Sequence, residues 1–290
     1  MKNTWILARM TYREALRRRI VLTGLVLGLC FLLVYSLGFH FIITQVNLTA
    51  SRAAAANPAS NQAMTSIANA ESKNALLMAG LYAVTFLCIA MAALLAADTL
   101  AGEIGSGTIQ TIVTKPIRRS SVILGKWLGF AWLLGLYFVL MAGGTVLSVW
   151  LQTGYTPNNL LTGLALIYLE ALLIMTISLA CSSTFSALAT GGIVFGLYGL
   201  AFIGGWIEQF GALLGNPTAI QVGIIASLII PSESLWRRAA SEMQTPLAGA
   251  LGMSPFGTSS VPSNLMVVYA LIYLGVILAL AVRTFSRRDL

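Results

Sequence analysis

Among the 290 residues of this chain, Glu170 is the one whose type and setting most invite chemistry. It stands in the middle of the run Leu160 to Cys181, which carries no other charge. An ionisable side chain at that depth costs about 2.5–3.5 kcal/mol on insertion scales, so it is retained where it faces a cavity, a partner or a proton. Glu170 is therefore a candidate intramembrane functional residue. The bland alternative is a protonated or hydrogen-bonded structural glutamate, paired with a Ser, Thr or Tyr of a neighbouring helix. On the sequence both readings stay open.

Other patterns that carry chemistry are absent from the sequence. His40 is the single histidine, which excludes a His-rich metal site and a Ser-His relay with a spare base. Its place near the end of an apolar run suits a ring reaching to the interface. Cys30, Cys88 and Cys181 fall one each in three apolar runs, without the close spacing of metal or redox pairs, and read as packing residues. Gly125-Lys126-Trp127 lacks the upstream glycine and the hydroxyl of a P-loop, and Gly105 and Gly107 lack the third glycine of a dinucleotide fingerprint. No G-x-S-x-G elbow occurs either. The expectation is a chain with no catalytic residue, no metal and no cofactor-binding residue of its own.

The elements that must position Glu170 follow from composition. The chain is 58% hydrophobic and 9% charged with mean hydropathy +0.86, whereas a water-soluble surface needs about 25% charged residues. The solvent is a bilayer. A hydrocarbon core about 30 Å thick takes about 20 apolar helical residues, and six runs qualify: Ile20 to Ile43, Ala75 to Ala97, Leu128 to Trp150, Leu160 to Cys181, Phe185 to Ile207 and Leu265 to Val282. None alternates at period two, so a β-barrel is excluded and an all-α polytopic membrane fold is expected.

A net charge of +8 and pI of 9.7 would suit nucleic acid, but position decides otherwise. With a cytoplasmic N-terminus, thirteen basic residues lie inside: Lys2, Arg9, Arg13, Arg17, Arg18, Arg19, Lys115, Arg118, Arg119, Lys126, Arg283, Arg287 and Arg288. Arg52, Lys73, Arg237 and Arg238 remain outside, and the positive-inside rule accounts for the pI. Both termini are then cytoplasmic, in a multi-pass protein of the cell (inner) membrane. Ala219 to Ile230, bracketed by Pro217 and Pro231, reaches only about 20 Å as a helix. A re-entrant or interfacial segment within the extracytoplasmic stretch 208–264 is expected there, not a seventh span.

Residues 1–19 are not a cleaved signal, because the apolar run that follows is too long for one. They are amphipathic: Trp5, Ala8, Tyr12 and Leu16 recur at spacings of three and four, beside a stripe of Arg9, Arg13 and Arg17. Such a helix lies in the headgroup layer, aromatic face in lipid and arginines on phosphates. Glu14 and Arg18 are spaced for an i, i+4 pair. Residues Thr44 to Asn74 read as a polar connector with some helix potential. Glycines recur at close-packing intervals at Gly24/Gly28, Gly125/Gly129 and Gly192/Gly196/Gly199, where close helix approach is expected.

The segment with most character is Ala101 to Gly129, between the second and third runs. Gly102, Gly105 and Gly107 permit a tight turn, Pro116 breaks a helix, and Ser120 or Ser121 can cap the next one. The order Glu103, Gly107-Thr108, a short apolar run, Lys115-Pro116, Arg119 and Gly125-Lys126 resembles the cytoplasmic loop of permease subunits of ABC transporters of the type-2 export family, near its NosY-like branch. The likeness extends to Leu16-Arg17-Arg18-Arg19-Ile20, to the six-span plan, and to Ile229-Ile230-Pro231-Ser232 through Leu235-Trp236-Arg237-Arg238.

The resemblance implies a single transmembrane permease domain over 1–290. Residues 1–19 would form an elbow helix, and 98–127 would be the coupling loop, with Glu103, Gly107, Thr108, Lys115, Pro116, Arg118 and Arg119 docking on a separate ATPase subunit. ATP and Mg would sit on that partner, and a second permease copy, identical or homologous, would complete the path. Topology-setting charge alone is the alternative for Lys115, Arg118, Arg119 and Lys126. A proton-coupled carrier or membrane-embedded enzyme using Glu170 is the alternative for the whole chain.

Overall fold

The computed structural model describes residues 2–56, 62–105, 119–245 and 260–287. Among these lie nine helices: α1 (Lys2–Leu16), α2 (Arg19–Ala56), α3 (Gln62–Gly105), α4 (Arg119–Thr153), α5 (Leu160–Ser182), α6 (Ala187–Leu213), α7 (Pro217–Ile229), α8 (Ser232–Met243) and α9 (Asn264–Arg287). Six of them, α2 to α6 and α9, are long and apolar enough to cross a membrane. Every backbone N–H and C=O inside lipid must be satisfied within its own segment, which is why apolar runs of this length become helices.

The helices outrun the apolar runs that nucleate them. At 1.5 Å per residue, the 38 residues of α2 and 44 of α3 are far longer than a hydrocarbon core is thick. The stretch 44–74 is accordingly helical except at 57–61, which lies outside the described residues. Thr44 and Thr49 sit within α2 by donating back to the carbonyls of His40 and Gln45, at 2.7 and 2.8 Å.

The most enclosed spans are α5, α3 and α4, with 61%, 56% and 44% of their most apolar windows buried, against 11% for α2 and α9. Glu170 therefore sits on the most enclosed span. Two sets of bonds tie the ends of the bundle. At the basic end Arg119 Nη1 donates to the Ser286 carbonyl (3.2 Å), Ser178 Oγ to the Ala93 carbonyl (2.7 Å) and Trp127 Nε1 to Thr176 Oγ1 (2.8 Å). At the far end Tyr35 donates to the Leu76 carbonyl (3.1 Å) and Gln152 Nε2 to the Ser36 carbonyl (3.3 Å).

The expected re-entrant or interfacial segment is a bent pair. Gly215, at φ 66°, closes α6, and Asn216 caps α7 by accepting from the N–H groups of Thr218 (3.1 Å) and Ala219 (3.3 Å). Pro217 occupies the first turn, where its missing N–H costs nothing. Pro231 then ends α7, and α8 leaves at 107° to it. The pair packs on α6 and α5.

Helix ends and one helix approach differ from expectation. The stretch 98–127 is not a loop throughout: α3 continues to Gly105 and α4 begins at Arg119. Gly102 and Gly105 are thus helical, and Ser120 and Ser121 lie inside the first turn of α4 instead of capping it. Helix α6 runs to Leu213, so its last turn falls within the stretch 208–264. On α6, a Cβ added at Gly192, Gly196 or Gly199 would meet nothing within 4 Å, so the expected close approach is not made among the described residues. The other two glycine pairs do pack: Gly24 meets Met91, Gly28 meets Met141, and Gly125 and Gly129 meet α1.

Candidate functional site

Glu233 and Arg237 stand one turn apart on α8, both buried. Arg237, at 1% exposure, faces Glu208 of α6: Nη2 donates to Oε2 at 2.8 Å, and Nη1 lies 2.7 Å from Oε1. Ser260 Oγ also donates to Glu208 Oε1, at 2.7 Å. Missing side chains make the room. A Cβ on Gly205 would lie 2.2 Å from Glu233 Cγ, and one on Gly223 would lie 2.3 Å from Glu208 Cβ.

Glu170 lies on α5, the span against which α8 packs. It is fully buried and neither carboxyl oxygen has a hydrogen-bond partner; Glu233 Oε2 and Ser232 Oγ are likewise without one. Among the described residues no Ser, Thr or Tyr bonds to Glu170, and the protonated structural glutamate of the sequence reading needs no such bond. Three buried carboxyl groups and one buried guanidinium stand on these helices, and that guanidinium is already matched by Glu208. Arg237 also acts on Glu233 one turn away, whereas Glu170 has no ion-pair partner among the described residues, in a place where an unpaired ion is costly. Glu233, outside the six spans, is pushed up to about 7 by burial, with Arg237 opposing.

Tyr82 of α3 is half-buried and Tyr198 of α6 is buried. They also form the wall of a cleft of about 790 Å³ between α2, α3 and α6. Phe31, Phe86, Phe195 and Phe202 line it too, and its polar lining is slight. The aromatics on α6 form a ladder at i, i+4 spacing: Tyr198, Phe202, Trp206 and Phe210, with successive ring centroids 6.5, 6.3 and 5.6 Å apart. Tyr82 bridges from α3, its ring 4.8 Å from Trp236 on α8.

A second assembly occupies the basic end. Helix α1 lies against the start of α4, its contact face made by Ala8, Thr11 and Ala15. A Cβ on Gly125 would come within 2.7 Å of Leu7 Cβ, and one on Gly129 within 2.7 Å of the Ala8 carbonyl. Small residues on both sides thus bring the two backbones together. Arg9, Arg13 and Arg17 stay exposed, as does Trp5, while Tyr12 turns half-buried toward the bundle. The face in contact is Ala8–Thr11–Ala15, and Trp5 of the stripe expected in lipid stays exposed. The Arg18–Glu14 pair forms at 2.7 Å. The sequence profile described as ABC-2 family transporter protein matches residues 5–290, from helix α1 through the last span.

The chain belongs to the ABC-2 transporter family. It is a multi-pass ABC transporter permease, of a family whose members are typically transport subunits without enzymatic activity of their own. No curated protein matches it.

Of the permease's sequence-derived site residues, Arg119 is placed at the basic end beside α9. Glu103 lies in the last turn of α3, its side chain outside the described residues, and Gly107, Thr108, Lys115, Pro116 and Arg118 also lie outside them. Glu208, Glu233 and Arg237 escaped the sequence reading as site residues: Arg237 counted as an external charge and as part of the Leu235-Trp236-Arg237-Arg238 likeness, and Glu208 and Glu233 only as parts of the extracytoplasmic stretch 208–264. A signal existed: Glu233 and Arg237 at i, i+4 beside Leu235-Trp236 mark one buried helix face. The aromatic ladder was equally visible at spacing four. His40 is exposed near Phe41, Cys88 is buried, and Cys30 faces the cleft.

Proposed function

We propose that this chain is the membrane half of an exporter of the NosY-like branch, driven by ATP hydrolysis on a separate ATPase subunit that carries the ATP and Mg, and paired with a second permease copy. The N- and C-termini face the cytoplasm of the cell (inner) membrane, and residues 106–118, with the adjoining ends of α3 and α4, dock on the ATPase. The observation that carries the reading is the α1–α4 clamp. Helix α4 starts at Arg119, directly after that segment, and is held to α1 through Gly125 and Gly129 and to α9 through Arg119. A push on the segment is delivered to a body comprising α1, α4 and α9, and through Trp127 to α5. Rigid continuity of this kind is what coupling requires, because packed helices shift between discrete arrangements without deforming smoothly.

Purification of the tagged chain from native membranes tests the proposal. It predicts recovery of a P-loop ATPase, and transport that is lost with Glu103→Ala or Arg119→Ala while the complex stays assembled. Transport by the chain alone without nucleotide would refute it and would favour a carrier using Glu170.

A further inference from the structure

We infer that a pocket at the basic end, between α9 and the turn joining α5 to α6, holds the phosphate headgroup of an anionic phospholipid. The site lies apart from the α1–α4 clamp, and the inference does not depend on the ATPase partner proposed above.

The pocket measures about 480 Å³, within the range of small-ligand sites, and is lined by Thr184, Leu280, Arg283, Thr284 and Arg287. Four of these recur at spacings of three and four on one face of α9, which sets Leu280 about 10 Å deeper than Arg287. The opposite face of α9 is fixed: Ala281 and Phe285 are buried in the bundle, and Arg119 donates to the Ser286 carbonyl at 3.2 Å. Thr184 comes from a turn closed by its own N–H and that of Phe185, both donating to the Cys181 carbonyl, at 3.0 and 2.9 Å. Both walls are thus held by structure outside the pocket.

Its charge has one sign. Arg283 and Arg287 stand one turn apart and exposed, and among the described residues no carboxylate pairs with either. Thr184 donates its hydroxyl to the Cys181 carbonyl (3.1 Å), whereas the hydroxyl of Thr284 is exposed to a ligand. Guanidinium forks match phosphate oxygens bidentately, and a basic pocket between spans suits an anionic headgroup. Depth selects the lipid. Leu280, Phe185 and Leu188 are 47%, 50% and 90% exposed, apolar side chains that acyl chains cover in a bilayer, and the arginines lie one and two turns farther out. A phospholipid uses both the apolar floor and the basic rim. Free phosphate, or an acidic patch of a water-soluble partner, would use the rim alone.

Native mass spectrometry of the full chain, purified with whatever subunit accompanies it and equilibrated with phosphatidylglycerol or phosphatidylcholine, tests this. One phosphatidylglycerol per chain is expected to be retained, about tenfold tighter than phosphatidylcholine, the worth of one charge-assisted hydrogen bond. Arg283→Gln combined with Arg287→Gln should bring that ratio below about twofold. Thr284→Val, which leaves the charge unchanged, should weaken phosphatidylglycerol binding about threefold through the lost hydroxyl. Arg52→Gln combined with Lys73→Gln removes the same charge at the far end and should leave the ratio intact. A preference that survives the double α9 variant, or that the Arg52 and Lys73 variant abolishes equally, overturns the inference, as does displacement of the lipid by inorganic phosphate. Unchanged binding in Thr284→Val overturns it too, so the test stands even where the double α9 variant fails to fold.

Discussion

Arg237→Met is the most informative single perturbation of the buried cluster. Arg237 and Glu208 have side chains 1% and 5% exposed, so solvent does not screen the loss. Removing the guanidinium leaves Glu208 with only the Ser260 hydroxyl at 2.7 Å, an uncompensated buried carboxylate, and breaking a buried pair in this way costs about 3–5 kcal/mol. In thermal unfolding of the nanodisc-embedded protein, followed by circular dichroism, that corresponds to a fall on the order of 10 °C. The damage should begin where α8 meets α6, so a protease site introduced between α8 and α9 should be cleaved faster. The double variant Arg237→Met, Glu208→Leu removes both charges and replaces them with apolar volume, and it should regain most of the loss. A single variant costing under about 1 kcal/mol, in the range of an exposed pair, would refute the claim that this ion pair holds the bent pair in place. So would a double variant as damaged as the single one.

Three further outcomes follow from other contacts. Glu233 keeps its proton up to about pH 7, against an ordinary value of 4.5. The folded state therefore binds more protons than the unfolded one between those values, and stability should fall on the order of 3 kcal/mol as pH rises through that window; Glu233→Gln should flatten the profile of unfolding temperature against pH. Gly129→Val places a Cβ within 2.7 Å of the Ala8 carbonyl, and should cost about 1–3 kcal/mol by overpacking while lowering ATP-driven transport more than assembly. Trp127→Phe should cost about 0.5–1.5 kcal/mol through the lost bond to Thr176, and a double-mutant cycle with Thr176→Val should return the same interaction energy.

The spans were legible because lipid leaves an apolar run of twenty residues one option, and the charge count ordered them. Helix ends were not, since residues such as Asn47 to Ala56 carry no apolar signal yet continue α2 once its first turns exist. Glu170 was legible as a lone charge in an apolar run. Its company was not: Glu208 and Glu233 lie 38 and 63 positions further on, and only the fold of α7 and α8 back against α5 and α6 brings them near. The α6 glycines show the opposite failure, where local spacing suggested a contact that this chain's own packing does not make.

The account rests on a separate ATPase acting at the connection between α3 and α4. Cysteine at Thr108, in a background without Cys30, Cys88 and Cys181, followed by cross-linking in native membranes, tests this most directly. The predicted result is a covalent adduct with a P-loop ATPase subunit whose yield changes between nucleotide-free and ATP-trapped states. Unimpaired transport by the chain with no ATPase captured, in either nucleotide condition, would contradict it.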